Sequence, residues 1–510
     1  MFSITPIQRV WMMSIAAFGA IISSTFPLSI ILAQQDIAAA FSVTRDEISW
    51  MVTLYNLGQL FGLPITFLFS KIFGRRRTML IAGIGFLFSS LIISFCSNFP
   101  IALFFRFWHG FYAGMLPVIM FIILFSTHPP GHIRTRGLSL FAFATAIGLG
   151  ISAWVGSLFL FSDNWRFLFI IPAIFIGFYI ILADFLFVED PIDLNNVSNF
   201  DWVGYTLVSL GLGFILIALS EGERYFWLET WWIPAFIIIG LTFIFLSVLH
   251  LFNTDKPLFK LSLFSKPFSL VLIYQIIFRF GTLFAIWLIP FFLTKVLNYR
   301  IEQLALVLWP LAPGTLIGIL IALFCSTYID QRIIMSSALF LIACCSLYCI
   351  QADSTWSFEN FTIVMFASGI GIGTYSLATL HMVLYGLIPI EGPTCGMGYN
   401  YARIMGLSGG LGILSHFINE REKFHSAILT PNIQNDESVT AEVINKIQTT
   451  LSPSFNDLSV LSNISTTKVA TVVREQSYVL AINDGFLFCA LLLIITAALV
   501  WFCPQCKSQS

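Results

Sequence analysis

The stretch "LFFRFWHGFYAG", residues 103–114, sets an arginine and a histidine three positions apart inside an apolar run. At that spacing Arg106 and His109 share one face of a helix. A guanidinium there can hold an anion or a carbonyl, and an imidazole can carry a proton near neutral pH. A packed, hydrogen-bonded histidine is the alternative to a proton carrier. Arg279 in "IYQIIFRFGTLFAIW", His381 and Arg403 lie in other apolar runs. An arginine at the centre of a bilayer costs about 2.5–3.5 kcal/mol on insertion scales, so each should face protein or a water-filled interior. Arg279 has Tyr274 and Gln275 as polar neighbours on its own stretch. Two uses are open to it: binding an anionic group on a substrate, or pairing with a carbonyl or distant acid. Asp184 is the chief carboxylate within these runs, close enough to a helix end to reach the interface.

A second cluster lies in "FLFSKIFGRRRTM", residues 67–79, where Lys71, Arg75, Arg76 and Arg77 follow an apolar run directly. Two readings fit them. One is a topology anchor, for which any few cations serve. The other is a gating turn, in which Gly74 permits a tight bend and the arginines reach helix-end carbonyls or a carboxylate on a neighbouring helix.

The elements that must position these residues follow from composition. Of 510 residues 58% are hydrophobic and 10% charged, with mean hydropathy +0.89. A soluble domain carries about 25% charged residues. Fourteen apolar stretches are each about long enough for a bilayer helix. They run over 11–33, 47–69, 78–96, 99–125, 138–161, 166–188, 202–220, 231–252, 268–294, 303–325, 333–351, 359–386, 396–418 and 480–503. Trp11–Ala33 lacks a small-residue cleavage site and reads as a retained span. With the N-terminus inside, twelve cations fall in short inner segments against five in short outer loops. That bias puts both termini in the cytoplasm. Residues 419–478 form a polar outer segment, in which Val439–Leu451 has the 3–4 apolar spacing of a short amphipathic helix.

A net charge of −1 argues against nucleic acid as a partner. Nine cysteines show no disulfide or zinc spacing, and Cys503-Pro-Gln-Cys506 stands alone at the last membrane edge. "GIGIGTY", 369–375, lacks the Lys-Ser/Thr and βαβ context of a phosphate loop and reads as a helix-packing strip. No cofactor, metal site or enzymatic motif is expected.

The Gly-Arg-Arg turn at 74–76 and the Arg-x-x-polar-Gly of helix 4 resemble motifs A and B of the major facilitator superfamily. The fourteen spans resemble its drug:proton antiporter subfamily of EmrB type. "DWVGYTLVSLGLGFILIALSEG" (201–222) is similar to that subfamily's seventh helix, "NYARIMGLSGGLGI" (400–413) to its thirteenth, and "INEREKFHSAILTP" (418–431) to the start of its last loop. Three positions depart from the pattern. Lys71 stands where motif A has aspartate, Ser23 where the first helix has an acid, and Ser152-Ala153 where helix 5 has Gly-Pro, with Gly156 kept.

The resemblance implies an all-α polytopic membrane protein of fourteen transmembrane helices: two six-helix bundles plus two intervening helices. The expected units are a first bundle at 1–188, an acidic linker with two central helices at 189–260, and a second bundle at 261–510 that includes the extracytoplasmic loop 419–478. It further implies a secondary transporter of the inner membrane, exporting amphipathic drugs or toxic compounds by proton coupling and alternating access. A periplasmic adaptor would dock near the last outer loop. Gly74, Arg75 and Arg76 would form the gating turn, with Arg106, His109, Arg279, His381 and Arg403 at the central cavity or in coupling, and Arg403 at the end of helix 13. Two other readings stay open: transport of an anionic metabolite such as a siderophore, with non-standard coupling, and a transport-dead scaffold or sensor.

Overall fold

A bilayer core offers no water to backbone groups, and the chain meets that demand with helices. No strand occurs among the described residues. The structure is a computed structural model that describes residues 6–505 except 130, 161–163, 188, 260–262, 264–266, 386–390, 436 and 452–457. Lys260, Lys266, Lys507 and the Cys506 half of the CxxC lie outside the described residues.

The first half comprises α1 (Pro6–Leu32), the short α2 (Gln34–Phe41), α3 (Arg45–Ile72), α4 (Gly74–Phe95), α5 (Phe99–Thr127), α6 (His132–Ala146), α7 (Gly148–Leu160) and α8 (Phe167–Leu186). α6 and α7 together make its fifth crossing. Local chemistry sets the starts. The Thr44 hydroxyl accepts from the Glu47 amide at 3.2 Å, and the Glu47 carboxylate accepts from the Thr44 amide at 2.8 Å, a reciprocal cap on α3. Asn98 caps α5 through the Ile101 amide at 3.3 Å.

α9 (Trp202–Glu221) and α10 (Trp232–Asn253) follow. Asp201 opens α9 by accepting from the Gly204 amide at 2.7 Å, and His250 of α10 closes on the same carboxylate at 2.8 Å. α9 touches α3 on one side and a helix of the second half on the other, while α10 packs on α9 and exposes Ile238, Phe245 and Phe252.

The second half contains α11 (Phe268–Gly281), a π-helical turn (Phe284–Leu288), α12 (Ile289–Lys295), α13 (Ile301–Leu308), α14 (Leu311–Cys325), α15 (Gln331–Tyr348), α16 (Phe358–Val383), α17 (Gly392–Asn435), α18 (Glu437–Leu451) and α19 (Leu458–Leu499). Its six crossings are α11 with α12, α13 with α14, α15, α16, α17 and α19.

The halves repeat one packing device. A Cβ on Gly110 would lie 2.0 Å from the Tyr55 carbonyl oxygen, so α3 and α5 cross with backbones touching. α14 and α16 do the same, a Cβ on Gly373 falling 2.2 Å from the Thr315 carbonyl oxygen. "GIGIGTY" is therefore the helix-packing strip its context implies.

Among the described residues thirteen helices are long and apolar enough to cross a membrane. The fourteenth expected span lies within α17, whose segment near Cys395, Tyr399 and Asn400 is fully buried against protein and has less need to be apolar. Three expectations change. The segment 419–478 is not mainly loop: α17 runs on to Asn435 and α19 starts at Leu458, with α18 between them where the amphipathic helix was expected. Arg75–Arg77 lie in the first turn of α4, because that helix starts at Gly74. Arg403 sits well inside α17 rather than at a helix end.

Candidate functional site

Between the halves lies a cavity of about 630 Å³, within the size range of drug-binding sites. It extends from the floor arginines to Asp46, Glu422, Lys423 and Arg474 at the end that carries α18. The opposite end is packed shut. There α5 and α17 meet so closely that a Cβ on Gly396 would lie 2.4 Å from the Phe121 ring, and one on Gly392 2.3 Å from the Phe125 ring.

The floor gathers Arg106, Arg279 and Arg403 from three helices. Arg106 is fully buried; its Nε donates to the Met51 carbonyl at 3.1 Å, and its guanidinium lies over the Tyr55 ring at 4.2 Å. Its Nη1 lies 2.7 Å from His109 Nδ1. An arginine only donates, so Nδ1 must accept, which leaves His109 neutral in this arrangement with its proton on Nε2. The imidazole packs between Tyr55, Phe86 and Phe169 and is not part of the cavity wall. It holds Arg106 in place.

Arg279 is 2% exposed, and its Nε and Nη2 have no hydrogen-bond partner. Gly406, one turn after Arg403 on the same face of α17, would carry a Cβ 2.9 Å from that of Arg279. Arg403 Nε is unpartnered too. None of the three floor arginines forms an ion pair with a carboxylate among the described residues. Tyr274 and Gln275, the neighbours of Arg279 in sequence, do not serve it: Tyr274 donates to the Leu499 carbonyl at 2.8 Å, and both Gln275 polar atoms are unpartnered. Ser23 and Ser152, at the departed family positions, line the cavity, and the Ser23 hydroxyl donates to the Ala20 carbonyl at 2.9 Å. His381 is not on the cavity wall; it sits two residues before the end of α16 with both ring nitrogens unpartnered.

The Gly74–Arg77 turn is a separate site at the sealed end. Gly74 has φ +77°, and a Cβ there would meet that of Asp190 at 2.3 Å. Both facts demand glycine. The Asp190 carboxylate accepts from the Arg75 amide at 2.9 Å and from its guanidinium at 3.0 and 2.9 Å. It thus caps an α4 terminus whose positive dipole end three arginines would otherwise disfavour. Burial works against the charged form, yet the Arg75 hydrogen bonds and the charges of Arg75 and Arg77 hold the Asp190 carboxyl below its usual range. Arg76 pairs with Asp184 at 2.7 Å and Glu189 at 3.0 Å, and Arg77 with Glu189 at 3.2 Å. Asp184 is thus an arginine partner at the helix end. The Asp193 amide donates to the Ile72 carbonyl at 2.9 Å, so the linker lies flat on the turn. With Lys71 at the motif's acid position, the linker and the end of α8 supply the carboxylates. Every ion-pair partner described here belongs to the first half or the linker.

One carboxylate escaped the sequence reading. Glu221, at the last turn of α9, is fully buried and accepts from the Ser49 hydroxyl at 2.8 Å and from Thr53. Arg224 approaches at 3.5 Å. Ser49 and Thr53 themselves line the cavity. The sequence signal was an acid at the edge of an apolar run. Glu223 lies just beyond, bound by His416 at 2.5 Å and Asn419 at 2.7 Å, which ties the α9–α10 hairpin to α17.

Comparison with known proteins agrees with this architecture. The "Probable multidrug resistance protein EmrY" of Escherichia coli K12 is 23% identical over 96% of this chain and 94% of its own length. The "Multidrug export protein EmrB" of the same strain is 22% identical over the same shares. Among solved structures, the human organic anion transporter MFSD10 superposes with a TM-score of 0.58 at 12% identity, over 96% of this chain and 100% of that one. Residues 13–413 match the Major Facilitator Superfamily as a whole, and the chain belongs to that superfamily.

Proposed function

We propose that the protein is a secondary active transporter of the inner membrane that exports amphipathic drugs or toxic compounds by proton-coupled alternating access. The cavity carries this reading: it lies between the two halves, reaches one end of the molecule and is blocked at the other by Phe121 and Phe125. Rocking the halves about such a site would present it to each side in turn. The excess of cations at the sealed end supports a cytoplasmic placement of that end; on this reading the cavity of this conformer faces outward and both termini lie inside. The names of the relatives favour drug-type substrates over a metabolite such as a siderophore. A scaffold would have no use for a polar cavity of this size. An adaptor meeting the α17–α19 projection completes the reading.

Proton coupling needs a carboxylate that Ser23 cannot supply. Glu221, one hydroxyl away from the cavity through Ser49 and Thr53, is the group we assign to that task. Inside-out vesicles with an imposed pH gradient test the proposal: a labelled amphiphile should accumulate, and collapsing the gradient should abolish the accumulation. Accumulation indifferent to the gradient would remove proton coupling from the account.

A further inference from the structure

The charges on the cavity wall are unevenly placed. Its carboxylates, Asp46, Glu223 and Glu422, lie toward the open end, and two of them are engaged: Glu223 by His416 and Asn419, Glu422 by Arg474 at 3.7 Å. The mouth cation Arg224 has Glu221, and Lys423 has Glu420 at 2.7 Å. Among the described residues Arg106, Arg279 and Arg403 have no such partner, and each keeps at least one buried guanidinium nitrogen with nothing to donate to. Arginine cannot shed its charge as a buried lysine can. An unpaired buried cation with unmet donors is costly, and three on one floor compound that cost by repulsion. An anion that accepts several hydrogen bonds would relieve all three and offset their charge, and the planar guanidinium fork suits carboxylate, sulfonate and phosphate oxygens. The wall is mixed, and Leu149, Leu283, Trp287, Leu308, Leu407 and Leu411 give it apolar surface.

We infer that the cavity floor is a binding site for the anionic head group of an amphipathic substrate, held by Arg279 and Arg403 with Arg106 behind them, the apolar body lying against the leucines and Trp287. This rests on the export reading and narrows its substrate class. Arg106 is fixed from behind by Met51 and His109, so its remaining donor is preset. Arg279 and Arg403 come from α11 and α17 of the second half, whereas Arg106 comes from α5 of the first. A bound anion therefore bridges the two halves at the place where they must move.

The test uses the full-length protein in inside-out proteoliposomes with a pH gradient and two probes of matched shape, 1-naphthalenesulfonate and trimethyl(1-naphthyl)ammonium. The sulfonate should be taken up saturably and the ammonium should not. Arg279→Gln and Arg403→Gln should each weaken sulfonate uptake by about tenfold or more, the scale of one charge-assisted hydrogen bond. Arg279→Lys should recover part of the loss. Size-exclusion profiles in detergent identify variants that fail to fold, and the lysine variant keeps the test decisive if the glutamine one does. Uptake of the ammonium as well as the sulfonate, or wild-type sulfonate uptake by both glutamine variants, overturns the inference and leaves export intact. Gradient-driven uptake of other amphiphiles without the sulfonate also overturns it alone. Loss of all gradient-driven uptake in the wild type overturns the export reading, and this inference with it.

Discussion

Replacing Asp190 with alanine removes a helix cap and an ion pair in one change. The carboxylate accepts the Arg75 amide at the first turn of α4 and the Arg75 guanidinium through two further hydrogen bonds. Loss of a cap costs typically about 1 kcal/mol. The ion pair is partly screened, with the side chains 22% and 29% exposed, and adds about 0.5 kcal/mol. The sum, about 1.5 kcal/mol, is about tenfold in the equilibrium that docks the linker on the turn. Hydrogen–deuterium exchange read by mass spectrometry should show peptides over 72–78 and 189–197 exchanging about tenfold faster in Asp190→Ala, while the α14–α16 pair keeps its wild-type rate. The pH dependence has a definite sign. Because the folded carboxyl is depressed, the stabilisation is full above the unfolded value near 3.9 and is lost as pH falls through the lower folded value. Wild-type docking should therefore hold unchanged from neutral pH down to about 4. Exchange at wild-type rates in Asp190→Ala at pH 7 would refute the capping argument. The same protein with Arg75→Ala separates anchor from gate: the partners all lie in the first half or the linker, so transport should survive while linker protection falls.

Three further outcomes follow from the geometry. Gly110→Leu should abolish a monodisperse fold in detergent, since even a Cβ would sit 2.0 Å from the Tyr55 carbonyl oxygen, whereas Gly131→Ala, with open space around it, should cost far less and only through its φ of +101°. His109→Asn should keep transport and its pH profile, because a neutral acceptor for Arg106 remains, and His109→Phe should impair transport by leaving the Arg106 Nη1 without an acceptor; a shifted pH profile in His109→Asn would contradict the positioning role. Glu221→Gln should preserve substrate binding measured by equilibrium dialysis yet make vesicle uptake insensitive to the pH gradient, and retained gradient dependence would remove Glu221 from coupling.

The helices were legible because a bilayer imposes length and apolarity together, and the glycine strips at 110–114 and 369–373 were legible because close packing demands small residues at fixed spacing. Arg106, Arg279 and Arg403 announced themselves by cost, and the structure brings them to one floor. Other features depend on contacts that sequence does not encode locally. Asp190 lies 115 positions from Arg75, so an acidic linker and a basic turn gave no sign of being one cluster. Glu221 is masked by its place at a helix end, and its burial comes from α3, packed across from it. His381 shares the apolar setting of Arg279, yet the face of α16 on which it lies turns it away from the cavity. The segment 419–478 is polar enough to read as loop, although α17 and α19 continue into it unbroken from their buried crossings.

Alternating access requires the sealed end to open during each cycle, and the Phe121–Gly396 contact offers a direct lock on it. A Cβ at Gly396 would lie 2.6 Å from the Phe121 Cγ, which puts the two β-carbons within about 4 Å, the range a disulfide spans. Phe121→Cys with Gly396→Cys, in a background free of other cysteines, should cross-link on mild oxidation. Uptake of amphiphile into vesicles should then stop and return on reduction. Full uptake by the cross-linked protein would show that the seal need not open, and would contradict transport through this cavity.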